Sequence, residues 1–210
     1  MVKESKTRNR SSSRGEARDQ LLTAAIEAFA SLGYEAVGPR LLCEKIGVNH
    51  SLVAYHFGSM KGLWQEAVGA LFAVYRDRLR QRLEGLDNLD VETRLTIAIE
   101  DLIDFSREYP MLHRIMTQEG RRKTDRLEWL IVTHLRPLFE ETTGLIRQGQ
   151  EEGSIRPFEP SLLYYAIIGL AATPFSVGAE FEEVTGINPN HRETAKEITR
   201  MIKFLVFKAS

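Results

Sequence analysis

The sequence has a single cysteine, Cys43, and this excludes an internal disulfide. Two roles remain open for the thiol: a small side chain that lets two helices approach, or a redox sensor. The chain also lacks an apolar run of about 20 residues, the length of a membrane-spanning helix. Its basic N-terminus is not followed by the apolar core of a signal peptide. These absences predict a soluble, cytoplasmic protein with no membrane partner.

Sequence signatures of enzymes are absent as well. The chain has no glycine-rich phosphate loop, no paired His-Glu metal motif and no Gly-x-Ser-x-Gly nucleophile elbow. Each of these patterns places a catalytic or ligating group at a fixed spacing that its chemistry requires. We therefore expect no enzyme activity, no cofactor and no metal.

Charge is nearly balanced overall but unevenly distributed. Residues 1–62 contain nine Lys or Arg and six acids, a net +3, so the rest of the chain carries −4 of the total −1. The first fourteen residues hold five basic residues and one acid, a net +4. We expect residues 1–13 to form a flexible basic tail. This tail could be a solubilising segment or an arm that follows DNA phosphates or the minor groove.

Three short helices are predicted after this tail. A capping box, Ser13 to Glu16, and helical apolar spacing predict the first helix over residues 14–32. Pro39 suits the first turn of a second helix that ends by Gly47, and a third helix follows over about residues 50–56.

The second and third helices have the pattern of a helix-turn-helix. Gly47 can adopt the positive φ of a tight turn, Cys43 allows close backbone approach, and Asn49 can cap the third helix. The third helix would expose His50, Ser51 and Tyr55. These features predict a DNA-recognition helix.

Several spaced motifs extend this pattern to a family. They run in order from Leu21–Phe29 through Gly33-Tyr34 to Tyr55-His56-Phe57-Gly58-Ser59 and Leu63. Over roughly residues 16–64 the chain closely resembles the N-terminal domain of TetR-family transcriptional regulators. It departs from the family pattern at Gly38-Pro39, Ala54 and Met60, where the family often has DNA-phosphate contacts.

The resemblance implies an all-α protein with two domains. Residues 14–62 would form an N-terminal three-helix DNA-binding domain, and residues 63–210 a larger helical domain for effector binding and dimerisation. The last two helices, predicted over about 160–183 and 191–207, are the most apolar part of the chain. We expect them to pair with a second copy as a four-helix bundle.

A ligand pocket is predicted from large or polar-tipped residues on the helices of the second domain. The same residues are also what an ordinary core looks like, and for His134 a satisfied core histidine is the favoured interpretation. The predicted pocket residues are Phe105, Tyr109, His113, Met116, Trp129, Thr133, His134 and Phe175.

The resemblance implies a homodimeric regulator, usually a repressor, that binds a near-palindromic operator and releases it when a small-molecule effector binds. Base-edge contacts are assigned to His50, Ser51, Leu52 and Tyr55, and phosphate or mixed contacts to Arg40, Lys45, His56 and Lys61, with Asn49 also in the DNA-binding set. The alternative is a helical ligand-binding protein or small enzyme that keeps the fold without binding DNA. Ala54 and Met60 are the features that favour this alternative.

Overall fold

The computed structural model describes residues 3–85 and 88–208, with side chains from residue 15 onward. Within these ranges the fold is all-α, as predicted, and has no β-strand; one isolated antiparallel bridge pairs Ile155 with Phe207. A 3₁₀ turn covers Tyr34–Ala36 and a π-helical segment covers Ile131–Leu135. The α-helices are α1 (Lys3–Leu32), α2 (Pro39–Ile46), α3 (Ser51–Phe57), α4 (Met60–Leu83), α5 (Val91–Glu108), α6 (Pro110–Glu119), α7 (Asp125–Leu130), α8 (Arg136–Glu152), α9 (Pro160–Ser176), α10 (Gly178–Thr185) and α11 (Arg192–Val206).

Helix α1 begins earlier than the sequence pattern indicates. It starts at Lys3, so the predicted start near residue 14 is wrong, and helix occupies positions where a flexible tail was expected. The capping box at Ser13–Glu16 is therefore internal to α1. The side chains of the basic segment lie outside the described residues, and its role in DNA binding stays a prediction.

The helix-turn-helix forms as predicted between α2 and α3. Gly47 adopts φ 69°, in the left-handed region, and its amide donates to the Cys43 carbonyl oxygen. Cys43 is buried, with Sγ 3.7 Å from the Asn49 carbonyl oxygen, which is the packing role expected of a small side chain. The Asn49 Oδ1 atom accepts a hydrogen bond of 2.9 Å from the Ser51 amide. This bond satisfies a free N–H at the start of α3.

Two compact units divide the chain, and the division falls between Leu71 and Phe72, inside α4. The predicted boundary at residue 62 is therefore too early. The reason is visible at Trp64, which is fully buried and meets Tyr34 edge to face with ring centroids 6.3 Å apart. The first turns of α4 thus belong to the core of the N-terminal unit. No Cβ fits at Gly62, because it would overlap the Phe57 carbonyl oxygen.

The core of the second unit joins helices that are distant in sequence. Helices α5 and α9 pack together, and α8 and α11 pack against both. The ends of α8 and α11 are tied by hydrogen bonds from the Arg156 amide to Val206 and from the Lys208 amide to Ser154, each 2.9 Å. The buried cluster comprises Val91, Leu95, Ile99, Ile103, Ile146, Ile155, Leu163, Ile167, Ala171, Phe175, Ala195, Ile198, Ile202, Val206 and Phe207.

The apolar stripe from Leu127 to Ile146 predicts one long helix that Pro137 bends and Gly153 ends, but this helix is interrupted rather than simply bent. Helices α7 and α8 are joined by the π-helical segment, in which the Arg136 amide donates to the Ile131 carbonyl oxygen five residues back. Pro137 has no N–H for the carbonyl of Thr133, and its ring would collide with that group in a regular α-helix. The wider π turn removes this collision and changes which side chains face inward.

The single helix predicted over residues 160–183 is wrong, because α9 ends at Ser176 and α10 begins at Gly178. The two helices are bent by 80° around Val177. Pro174 and Gly178 flank the break, and both residues weaken helical continuity. Among the described residues no single helix is long and apolar enough to cross a membrane. In that part of the chain only the bent pair of α9 and α10, taken together, has the length and apolar composition of a membrane span.

Candidate functional site

One side of helix α3 packs against the N-terminal unit through buried apolar side chains. Val53 and Phe57, four residues apart, are both buried, and α1 packs against α2 and α3. The Arg18 guanidinium lies 5.3 Å from the centre of the Phe57 ring and forms an ion pair with Glu66. Helices α1, α3 and α4 are thereby connected through one side chain, which fixes the orientation of α3.

The opposite side of α3 presents polar and aromatic groups. His50, Ser51 and Tyr55 are exposed, and Tyr55 retains 65% of its accessible surface. Leu52 is half-buried beside them, and the Asn49 side chain is engaged with the Ser51 amide. A short helix with a fixed base and a polar face suits insertion into the major groove of DNA.

The four residues predicted to contact phosphates differ in their surroundings. Arg40 and Lys61 are exposed. Lys45 is exposed too, but its Nζ atom lies 2.6 Å from Glu27 Oε2, so a phosphate would have to replace this ion pair. His56 is half-buried and its Nε2 atom is enclosed without a hydrogen-bond partner. The structure therefore does not bring His56 onto the exposed face of α3.

A cavity of about 140 Å³ lies in the second unit, among side chains of α4, α5, α6, α8 and α9 and of the π-helical segment. Four of the eight predicted pocket residues line it: Phe105, Tyr109, His113 and Met116. Phe105 and Tyr109 stack with ring centroids 5.0 Å apart. These four residues lie close together because α5 ends at Glu108 and α6 starts at Pro110, so the turn between them faces the cavity.

The other four predicted pocket residues do not line the cavity. Thr133 is exposed on the π-helical segment, and Phe175 is buried in the core cluster of α5, α9 and α11. His134 is buried against Phe72, with parallel rings 4.4 Å apart, and Trp129 meets His134 edge to face. His134 is thus a core residue that contacts the lining residue Phe72, but it is only partly satisfied: Nδ1 is paired with Arg76, whereas Nε2 has no hydrogen-bond partner among the described residues.

Most lining residues were not singled out from the sequence. They are ordinary apolar or small helix residues, and no local pattern distinguishes a cavity wall from a packed core. The additional lining residues are Phe72, Tyr75, Leu95, Ala98, Ile99, Leu102, Ser106, Leu112, Leu135, Leu138, Thr142, Tyr164, Ile167, Ile168 and Ala172.

A buried carboxylate lies next to this region. Asp101 is fully buried, and its Oδ1 atom lies 3.5 Å from Arg78 Nε and 3.7 Å from the Arg82 guanidinium. Burial raises the pKa of Asp101, and the two arginines oppose that rise. The Asp101 charge also contributes, after burial, to a raised pKa of the cavity residue Tyr75. Asp101 thus links α4 to α5 through its ion pairs with Arg78 and Arg82.

Groups of three or more His, Cys, Asp or Glu side chains that could hold a metal ion are absent from the described part of the chain. Two arrangements remain as candidate sites: the exposed face of α3 and the cavity of the second unit. The first has the construction of a helix-turn-helix DNA-binding protein.

Comparisons with known proteins agree with this class. Residues 21–67 match the family model of bacterial regulatory proteins of the tetR family, and residues 88–204 match that of the tetracyclin repressor-like C-terminal domain. The chain is 25% identical over 170 residues to the HTH-type transcriptional regulator RutR of Escherichia coli K12, covering 79% of this chain and 77% of RutR.

Solved structures share the fold over nearly the whole chain. The ketosteroid transcriptional regulator KstR2 of Mycobacterium tuberculosis has a TM-score of 0.72 at 18% identity, covering 92% of this chain and 96% of KstR2. AibR, in complex with isovaleryl coenzyme A and operator DNA, has a TM-score of 0.72 at 14% identity, covering 90% of this chain and 97% of AibR. The chain belongs to the TetR family and is a ligand-responsive transcriptional regulator.

Proposed function

We propose that the protein is a cytoplasmic homodimeric repressor that binds a near-palindromic operator through α3 and releases it when a small molecule occupies the cavity of the second unit. The observation that carries this proposal is the construction of α3. Val53 and Phe57 anchor one side of the helix, while His50, Ser51 and Tyr55 remain exposed on the other. A dimer would place its two copies of α3 in successive major grooves.

Within α3 we assign base-edge contacts to His50, Ser51 and Tyr55. Imidazole, hydroxyl and phenol groups can donate to or accept from base edges, and the half-buried Leu52 offers at most an apolar contact to a thymine methyl. Asn49 is assigned a supporting role, because its Oδ1 atom is already engaged in capping α3. These assignments make α3 the source of sequence discrimination.

Phosphate contacts are assigned to Arg40 and Lys61, which are exposed in the first turns of α2 and α4. Lys45 can join them only by exchanging Glu27 for a phosphate, so its contribution is smaller. His56 is omitted, since its enclosed Nε2 atom cannot reach DNA without a rearrangement of the ring. Phosphate contacts add affinity and orientation without discrimination between sequences.

Exposed apolar side chains support dimerisation through the C-terminal helices. Leu162 and Tyr165 on α9, and Met201 and Phe204 on α11, are large apolar or aromatic residues on the surface of a single copy. Helices α9 and α11 also pack against each other, so their exposed faces belong to neighbouring elements. Two copies joined through α9 and α11 would remove these side chains from water as a four-helix bundle.

Occupation of the cavity would lower DNA affinity if the ligand favours a conformation whose two copies of α3 no longer match successive grooves. AibR, which shares this fold, has been solved with both an acyl coenzyme A and operator DNA. That precedent supports two distinct sites, one for each ligand, in a fold of this kind. The direction of the effect, release by ligand, is part of the proposal.

Band-shift titrations with DNA from upstream of the protein's own gene test the assignment of α3. His50→Ala and Tyr55→Ala should each weaken specific binding by roughly 1 to 3 kcal/mol, because a base-edge contact is lost. Ser31→Ala, at an exposed position on α1, is the matched control and should bind like wild type. Lys61→Ala should weaken binding to specific and random DNA about equally. Full affinity and specificity in both α3 variants, with native helicity by circular dichroism, would exclude α3 as the reading element.

A further inference from the structure

The cavity of the second unit is lined without charged side chains. Among the described residues that line it, none is Lys, Arg, Asp or Glu. Its polar groups are the imidazole of His113 and the hydroxyls of Tyr75, Ser106, Tyr109, Thr142 and Tyr164. The remaining lining atoms are those of aliphatic and aromatic side chains, so the wall is predominantly apolar.

The polar lining groups are also neutral near pH 7. Burial lowers the pKa of His113, which favours the uncharged imidazole. Burial raises the pKa of Tyr164 to about 12 and also raises that of Tyr75, so both phenols keep their protons. After burial, the contributions to the raised pKa of Tyr75 come from Asp101, Tyr164 and Glu141. A ligand anion inside the cavity would meet no Lys or Arg side chain among the described lining residues.

Ser106 has a hydroxyl that the protein leaves unused. Its residue surface is only 5% exposed, yet within the described ranges the hydroxyl has no hydrogen-bond partner. Three helical threonines of this unit, Thr117, Thr143 and Thr199, each donate instead to the carbonyl oxygen four residues earlier. Ser106 lies on the cavity wall, and its Oγ atom is not among the enclosed atoms that lack a partner, so the hydroxyl is open to the cavity. A ligand oxygen in the cavity could therefore form a hydrogen bond with it.

We propose that the effector is a neutral, largely apolar molecule with one hydroxyl or carbonyl oxygen that hydrogen-bonds to Ser106, and that its enclosed part carries no carboxylate or phosphate. This inference rests on the proposed function, since it specifies the chemistry of the ligand in the same cavity. The cavity volume of about 140 Å³ suits an enclosed group of one or two rings or a short branched chain. An apolar cavity of about 150 Å³ in another protein binds benzene.

Three compounds with the same naphthalene ring system, two neutral and one anionic, provide the test. Isothermal titration calorimetry of the full-length protein at pH 7.5 would compare 1-naphthol, 1-naphthoate and naphthalene. We expect 1-naphthol to bind at least about tenfold more tightly than 1-naphthoate, because an anion buried without a partner loses hydration that nothing replaces. Naphthalene should bind more weakly than 1-naphthol, because it leaves the Ser106 hydroxyl unpaired.

Two variants locate the binding site. Ser106→Ala should reduce 1-naphthol affinity about fivefold, the loss of one hydrogen bond, while leaving naphthalene affinity unchanged or higher. Ser176→Ala is the matched control, since Ser176 lies outside the cavity lining and its hydroxyl donates to the Thr173 carbonyl oxygen. Ala98→Phe should abolish binding of both probes by filling the cavity, with circular dichroism melting as the check on its fold.

The outcomes separate this inference from the proposed function. If 1-naphthoate bound as tightly as 1-naphthol or more tightly, the proposal of a neutral effector would be overturned. Failure of all three probes to bind would overturn it as well. An unchanged 1-naphthol affinity in Ser106→Ala would overturn the assigned hydrogen bond. The wild-type comparison of probes does not depend on whether Ala98→Phe folds. The band-shift experiment measures operator binding without any probe. The proposed DNA-binding function and the proposal of a neutral effector can therefore be supported or rejected independently of each other.

Discussion

His134 combines three interactions that make its ring part of the core. It is 4% exposed, stacks on Phe72 with an interplanar angle of 5°, and accepts a hydrogen bond of 3.0 Å at Nδ1 from Arg76. Because a guanidinium can only donate, Nδ1 carries no proton and the proton of the neutral ring lies on Nε2. Burial, followed by the positive charge of Arg76, lowers the pKa of His134 to about 4. The ring therefore stays neutral in the folded protein.

This lowered pKa predicts a loss of stability in mild acid. The unfolded chain binds a proton at His134 below its ordinary pKa of 6.5, whereas the folded chain does so only near 4, so stability falls as the pH drops from 6.5 towards 4. The full difference corresponds to about 3 kcal/mol. Urea unfolding at pH 7 and pH 4.5 should show a smaller acid-induced loss in His134→Phe than in wild type. Equal losses in the two proteins would mean that His134 does not titrate in this range.

At the scale of single helices, α11 shows why an apolar stripe does not by itself define an interface. Ile198, Ile202 and Val206 recur every four residues and are buried within one copy. Met201 and Phe204 lie on a different side and are exposed, Phe204 to 78%. In the sequence the buried and the exposed residues appear as one apolar stripe, because the apolar residues cover a wider part of the helix surface than the part that contacts the core. The structure divides it into a core side and an exposed side.

This division predicts opposite outcomes for two charge substitutions on α11. Phe204→Glu, together with Leu162→Glu on α9, should give a folded monomer, because both side chains are exposed in a single copy. Ile202→Glu should unfold the second unit, because it places an unpaired charge in a fully buried position. Sedimentation velocity and circular dichroism would measure the two effects. A folded dimer in the Phe204/Leu162 variant would remove this face from consideration as the interface.

Helix ends could be predicted from the sequence where a single proline or glycine determines the backbone conformation at that position. Pro39, Gly47 and Gly153 mark the ends of α2 and α8 because proline favours a first turn and glycine accepts a positive φ. Asp90 was not singled out from the sequence, although its side chain caps α5 in a similarly local way, with Oδ1 accepting a hydrogen bond of 2.8 Å from the Thr93 amide. Each of these signals lies within a few residues of the structure it determines.

The interruptions within helices were not predictable in the same way. The π-helical segment shifts the helical phase, and the 3.6-residue period of apolar residues is too coarse to reveal such a shift. The break at Val177 lies in a segment that is apolar on nearly all sides, so the spacing of apolar residues does not indicate which side of the helix faces the core or where the helix ends. Pro137 and Pro174 indicate a disturbance in each case, but not its geometry.

The candidate sites show the same distinction between local and distant contacts. The exposed face of α3 follows from residues within one turn and one short helix, so His50, Ser51 and Tyr55 could be assigned from sequence. The cavity depends on contacts between α4, α5, α6, α8 and α9. Phe72 and His134 are separated by most of these elements, and no spacing in the sequence indicates that their rings stack.

At the scale of the whole molecule, two units with different chemistry share helix α4. The N-terminal unit presents a polar helix face built for DNA, and the second unit encloses a neutral cavity and exposes apolar residues on α9 and α11. The net charge of +3 on residues 1–62, against −4 on the remainder, also favours DNA at the N-terminal unit. Family membership, the exposed α3 and the cavity together support the proposal of one regulator with separate DNA and ligand sites.

Selection from a random pool of duplex DNA tests most directly whether α3 reads sequence in a dimer. Wild-type protein should enrich an inverted repeat whose half-site centres are separated by about 34 to 36 Å or a multiple of that distance, because two copies of α3 enter successive major grooves. Tyr55→Ala should enrich a weaker or altered half-site, and Ser31→Ala the wild-type repeat. If wild type enriches no repeat, or Tyr55→Ala enriches the same repeat with equal strength, α3 is not the element that recognises the operator.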